Sequence, residues 1–292
     1  MIFKHLAFAS FAILSLSACQ STSLSEPKAI VNVPFTAPLI TDFRNEITIA
    51  RYSELLNRAD LSPDQQARLH YDRGVLFDSL GMTTLARIDF NRAVQLKPDL
   101  AEVYNFLGIH HTLMQQYEKA YEFFDSALEL NEQHEYAYLN RGIALYYGER
   151  PRLAQADLEA FLKLSPSDPY RVLWLYLAQS KADKEQALID LQANSAGLDD
   201  SQWAYQLIEL YLGNISQEEF LATIIEGVQS EQEYAHRLCE AYFYLAKIHQ
   251  AQGDNYVAAD YFRLALATNV HEFVEYKYAR LELELMAGEN AL

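Results

Sequence analysis

His271 and Glu275 stand four residues apart. On a helix they would share a face and could hold a divalent metal ion. No third ligand is evident at a compatible spacing, so the pair reads as polar helix surface. His110 and His111 are adjacent, and neighbours on a helix point to different faces, which suits packing and capping better than joint ligation. Acidic pairs such as Glu218-Glu219 read as a solvated first turn favoured by the helix dipole. The chain has two cysteines, Cys19 and Cys239, and the second reads as a small buried apolar residue. The sequence contains no G-x-G-x-x-G, Walker A, G-x-S-x-G or H-E-x-x-H pattern. No catalytic residue, metal or cofactor is therefore expected. The enzyme alternative, a metal-dependent hydrolase using His271 and Glu275, would require a stoichiometric metal.

Charge and composition narrow the partners. There are 23 basic and 40 acidic residues, a formal charge of −17. Such acidity opposes binding to nucleic acid or to an anionic membrane surface and suits basic protein partners. Half of the residues are hydrophobic and 13% are aromatic, which excludes disorder for the bulk of the chain.

The N-terminus has the layout of an export leader. Lys4 and His5 precede an apolar run from Leu6 to Leu16, and the small residues Ser17 and Ala18 precede Cys19. The run is too short for a mature membrane span. Leu16-Ser17-Ala18-Cys19 resembles the lipobox of bacterial lipoproteins. That resemblance implies cleavage of residues 1–18, lipidation of Cys19 and durable anchoring by several acyl chains. Gln20 in place of aspartate then implies delivery to the outer membrane, with the body in the periplasm. Lipidation of Cys19 would leave Cys239 without an intrachain partner. Residues 19–38, with three of the eight prolines, read as a lipidated tether.

Beyond the tether the pattern is helical almost throughout, and it repeats. Gly74, Gly108 and Gly142 are spaced by 34 residues. So are Ala86, Ala120 and Ala154, and so are Phe90, Phe124 and Leu158. A period of 34 with these residue types marks the tetratricopeptide repeat, two antiparallel helices per unit. The glycine and alanine would sit where the two backbones approach, and the large residue would fill the space toward the next unit. The expected fold is all-α, a superhelical solenoid with an N-terminal helix and a C-terminal capping helix. Residues 39–66 form the N-terminal helix and linker, and 67–168 three regular repeats. Residues 169–238 form irregular repeats and 239–292 a last repeat plus cap. Glu132 stands where proline is usual, and Phe161 where a small residue is usual. Ser62-Pro63-x-Gln65 and Ser216-x-x-Glu219 read as helix-starting capping boxes. The N-terminal helix could also cap a second copy of the chain.

In such a solenoid the first helix of each unit lines a concave face where peptides dock. Counting into each unit puts Tyr71, Asp78, Asn105, Ile109, Tyr136, Leu139, Ile143, Tyr146 and Tyr147 on that face, with tyrosine suited to contact surfaces. The Lys/Asn/Arg set of carboxylate-clamp repeats is missing.

DRGVLFDSLG (72–81), LNRGIALYYG (139–148), LYLGNIS (210–216) and NVHEFVEYKYA (269–279) resemble the NlpI family of outer-membrane tetratricopeptide-repeat lipoproteins. The resemblance runs from the lipobox to the final helix and is weakest in the tether and at 180–200. It implies a homodimeric adaptor that binds a periplasmic tail-specific protease, presents a murein endopeptidase to it for degradation, and scaffolds other peptidoglycan enzymes. The alternative is a lipoprotein subunit of an outer-membrane assembly or secretin–pilotin complex.

Overall fold

The computed structural model describes residues 33–289 apart from positions 41 and 59. The leader, Cys19 and the first part of the tether lie outside the described residues. Among the described residues fourteen helices follow one another and no strand occurs. α1 spans Phe43–Leu56. Six hairpins then follow: α2–α3 (Pro63–Ser79, Thr83–Leu96), α4–α5 (Ala101–Leu113, Tyr117–Leu130), α6–α7 (Glu135–Tyr147, Pro151–Leu164), α8–α9 (Pro169–Ser180, Lys184–Ser195), α10–α11 (Tyr205–Leu212, Gln217–Thr223) and α12–α13 (Glu231–Ala251, Asn255–Ala267). α14, Val274–Glu289, ends the array. The fold is a solenoid of tetratricopeptide repeats.

The hairpins close through glycine. A Cβ on Gly108 would stand 2.5 Å from the Phe124 ring, and one on Gly74 2.8 Å from Phe90. At Gly142 it would meet Leu158 at 2.8 Å. Only hydrogen fits there, so the large residue of the second helix lies against the backbone of the first. Ala86, Ala120, Ala154, Phe90, Phe124 and Leu158 are all fully buried, and burying a side chain such as Phe124 contributes about 1.5–3 kcal/mol.

The turn inside each of the first three hairpins passes through left-handed backbone, at Gly81 (φ 73°), Gln115 (φ 58°) and Glu149 (φ 58°). These positions share the 34-residue interval. Helix starts follow local chemistry: Ser62 accepts from Gln65 N at 3.2 Å while the Gln65 side chain takes the Ser62 amide, and Ser216 and Glu219 do the same at α11.

The hairpins also carry a repeated ion pair. Arg73 grips Asp89 through two bonds of 2.7 and 2.8 Å, and Arg141 grips Asp157 through two of 2.7 Å. The middle repeat puts Leu107 and Phe123 in the corresponding places, replacing the pair with an apolar contact. Asn140 Nδ2 donates to Asn105 Oδ1 at 3.1 Å, linking neighbouring first helices.

The C-terminal half departs from a stack of nearest neighbours. α12 and α14 turn inward and pack across the first helices of earlier units. Trp174 lies 5.8 Å from Phe243 and 6.1 Å from Tyr278, and Tyr147 stacks on Tyr278 at 5.2 Å. One core cluster consequently joins Ile109 to Met286. α14 covers the end of the array through α13 and α12 and also reaches α4.

The last residues of the expected tether, from Val33, lie among the described residues. Val33 and Leu39 pack against the main core, and the Leu39 amide donates to Thr268 O at 3.0 Å. α1 touches the stack through α2 and buries none of its residues fully. Phe43 and Ile47 remain 68% and 59% exposed. Cys239 is buried and free.

Candidate binding cleft

The inward path of α14 decides which inner-face residues reach solvent. Of the positions expected there, Asp78, Asn105, Ile109, Leu139 and Ile143 are buried, a correction to their reading as a docking surface. For Asp78 the reason is cis occupancy by α14, and for Asn105 it is Asn140 of the next first helix. Asp78 accepts from His110 Nε2 at 2.8 Å and from Lys277 Nζ of α14 at 2.9 Å. Burial pushes the Asp78 carboxyl up, but the His110 hydrogen bond and the Lys277 charge prevail and hold it at about 2. Tyr71 is half-buried and packs on Phe90 and Phe106 between the first two units. Tyr136 is 54% exposed at the start of α6 and stands apart from the cleft described next.

Tyr146 and Tyr147 are buried as well, at 5% and 7% exposure, a further correction to the open docking face, but the edges they keep line a cleft. A cleft of about 900 Å³ is walled by the ends of α6, α8, α10 and α12 and by the last turns of α14. Tyr146 and Tyr147 meet edge to face at 5.0 Å, and Tyr176 meets Tyr211 edge to face at 5.3 Å. Burial raises the Tyr147 and Tyr211 phenols well above their ordinary range, so both stay neutral donors. Tyr211 Oη donates to Tyr244 O at 2.9 Å, and Tyr147 Oη to Glu282 Oε1 at 2.9 Å.

Charge enters through lysines that the repeat pattern did not single out. Lys247 Nζ donates to Glu282 Oε1 at 2.5 Å and Gln250 Oε1 at 2.7 Å, and lies 5.1 Å from the Tyr146 ring centre. Burial alone would lower its pKa, but the Glu282 charge outweighs it and raises it. Burial likewise opposes ionisation of Glu282, and Lys247 overcomes it, so the pair is charged. Lys181 Nζ lies 4.3 Å over the Tyr146 ring, 3.3 Å from Tyr146 O and 2.8 Å from Glu149 Oε1. No linear motif marks these lysines, because two separate hairpins, α8–α9 and α12–α13, bring them together.

A second group of acids lies deeper. Glu240 accepts from Tyr170 Oη at 2.7 Å and Trp203 Nε1 at 2.8 Å, and Glu275 accepts from Tyr244 Oη at 3.3 Å. Burial and the neighbouring Glu275 push the Glu240 carboxyl up to about 8, and burial pushes Glu275 up to about 7. His271 and Glu275 are thereby separated. His271 packs edge to face on Tyr276 beside a small pocket of about 150 Å³, whereas Glu275 points at Tyr244. Among the described residues no group of three or more His, Cys, Asp or Glu is placed to hold a metal ion. His111 bonds Gln116 at 2.7 Å and stacks on Phe123. Among the described lining residues of the cleft there is no histidine, and the Ser180 hydroxyl donates to Leu177 O. The described lining is aromatic, apolar and lysine-bearing, a chemistry suited to holding a polypeptide.

A family model for the tetratricopeptide repeat matches residues 67–100 and 101–134. Among solved structures, the chain is similar to a tetratricopeptide-repeat protein from Parabacteroides merdae (15% identity, TM-score 0.49, covering 83% of this chain and 100% of that one). It is similar to YrrB, described as a tetratricopeptide-repeat protein with an unusual peptide-binding site (14% identity, TM-score 0.44, covering 81% and 97%). It is also similar to PilF of Pseudomonas aeruginosa (18% identity, TM-score 0.41, covering 84% and 97%). Stacked tetratricopeptide repeats form extended concave surfaces used for binding, and the matched repeats imply a protein-interaction scaffold here.

Proposed function

We propose that this chain is a lipid-anchored periplasmic adaptor at the outer membrane. It binds a tail-specific protease and presents a peptidoglycan endopeptidase to it, and it scaffolds other murein hydrolases. The observation that carries a polypeptide-binding role is the inner-face cleft with its tyrosine walls, a surface suited to peptide side chains. The protease and hydrolase come from the resemblance of 72–81, 139–148, 210–216 and 269–279 to the NlpI family. Bringing two partners together on one tethered body raises their local concentration.

Reconstituting protease and hydrolase with and without the full chain tests the reading: faster hydrolase cleavage with it is expected, and equal rates reject it. Cys19→Ser should move the protein from the membrane fraction to the soluble periplasm, and retention in the membrane rejects the anchor. A homodimer belongs to the same proposal. Phe35, Ile40, Phe43 and Ile47 expose large apolar side chains at the N-terminal end, and a second copy would cover them. Light scattering of Phe43→Glu/Ile47→Glu should then report a monomer.

A further inference from the structure

Three of the chain's nine lysines, Lys181, Lys184 and Lys247, line the cleft, and among its described lining residues there is no arginine. Two carboxylates line it with them, Glu149 and Glu282. Glu282 is committed to the buried Lys247 and also takes bonds from Tyr147 and Gln250. Glu149 is different: its side chain is 78% exposed and meets Lys181 at the rim. Lys184, on the first turn of α9, is exposed and has no ion pair among the described residues. The cleft thus holds a cation in surplus, in a chain whose formal charge is −17.

We propose that this cleft binds an extended peptide segment carrying a carboxylate between apolar side chains. Lys181 and Lys184 take the carboxylate, and Leu188, Leu210 and Leu285 take the flanking side chains. The proposal rests on the adaptor reading and names the chemistry of what the adaptor holds. Lys181 is preorganised for the task. The Tyr146 ring and carbonyl hold its ammonium at the rim, so it keeps its place when the solvent-exposed Glu149 turns aside. A charge pair at a partly desolvated rim is stronger than one in bulk water, and a lysine ammonium serves as a compact point charge for a carboxylate. A volume of about 900 Å³ admits several residues. An extended segment fits because α14 already takes the helix-wide part of the inner face.

The test uses the full chain, immobilised in detergent, and pools of random hexapeptides in four forms: with or without Asp and Glu, each as the C-terminal free acid or as the amide. Retained peptides are read by mass spectrometry. Peptides with a carboxylate should be retained about tenfold over the neutral amides, the change given by one charge-assisted hydrogen bond. An advantage confined to free acids assigns the chain end, and one confined to Asp or Glu assigns a side chain. Lys181→Met/Lys184→Met, with folding checked by circular dichroism, should abolish the advantage, while Lys163→Met on α7 should keep it. Equal retention of acidic and neutral pools, or an advantage that survives the double variant, overturns the proposal. If the reconstituted protease and hydrolase still respond to the protein in that case, the adaptor reading stands and the cleft assignment alone has failed. If neither peptides nor partners respond, both have failed.

Discussion

The regular half, α2 to α7, and the C-terminal half, α8 to α14, both bury ion pairs, by different routes. In the regular half Arg141 and Asp157 face each other across one hairpin, 16 residues apart, and the arginine keeps contact with water beside Asp125. In the C-terminal half Lys247 and Glu282 come from different helices 35 residues apart, and their side chains are 6% and 3% exposed. Tyr147 joins that pair across 135 residues. Nearest-neighbour stacking needs each unit to fit only the next. The inward-turned half needs distant units to agree at once, and its polar groups have lost their water.

The hardest test of this contrast is Lys247→Ala. It leaves Glu282 buried without its cation, which costs about 3–5 kcal/mol. Urea unfolding should show that loss, and Lys247→Met/Glu282→Gln, which keeps an acceptor for Tyr147, should recover most of it. A loss below about 1 kcal/mol would mean that water reaches the pair and that the C-terminal half is as open as the regular one.

The second effect is pH dependence. A carboxyl raised on folding takes up protons between its ordinary value and its folded one. For Glu240 that window runs from 4.5 to about 8, and for Glu275 from 4.5 to about 7. The stability they allow is complete below the window and is lost as pH rises through it. Each group contributes at most about 1.4 kcal/mol per pH unit, or about 3 kcal/mol between pH 5 and 7. Asp78 acts oppositely, since its support is present above 3.8 and disappears as pH falls toward about 2. Glu240→Gln, which retains an acceptor for Tyr170 and Trp203, should flatten the fall in melting temperature between pH 5 and 8. An unchanged slope would place the pH dependence elsewhere.

The same contrast explains what could be read from the chain. Gly74, Gly108 and Gly142 announce themselves because each meets a partner 16 residues on, inside one repeat. The capping boxes at Ser62 and Ser216 are closed by residues three positions away. The Arg73–Asp89 and Arg141–Asp157 pairs went unread, although one 16-residue spacing recurs two periods apart. The groove was not legible. Assigning Asp78 and Ile143 to an open inner face assumed that each unit meets only its neighbours. Lys277 reaches Asp78 from 199 residues away, and no local pattern encodes that contact.

Gly142→Leu probes the regular half by overpacking. Its Cβ would already lie 2.8 Å from Leu158 and 3.4 Å from Ala154 O, so the larger side chain should cost about 2 kcal/mol or more. The loss should be visible as a lower melting temperature, and unchanged unfolding would place the helix contact elsewhere.

The smallest effect concerns the turns. Within the hairpin turns the regular half has Gly81 but also accepts Gln115 and Glu149 in left-handed backbone, whereas the C-terminal half has Gly213 and Gly253 there and places Asn269, its one such non-glycine among the described residues, after α13. A side chain there costs about 1–2 kcal/mol, and glycine returns part of that gain through its freer unfolded chain. Gln115→Gly should therefore stabilise by about 0.5–1 kcal/mol in urea unfolding. Gly81→Gln should lose more than Gln115→Gly gains, because a Cβ at Gly81 would also stand 2.8 Å from His271 Nδ1. That imidazole belongs to the segment leading into α14, so the first turn of the regular half is already in contact with the C-terminal half. Equal and opposite effects of the two substitutions would show that His271 gives way freely and that the halves are uncoupled at this turn.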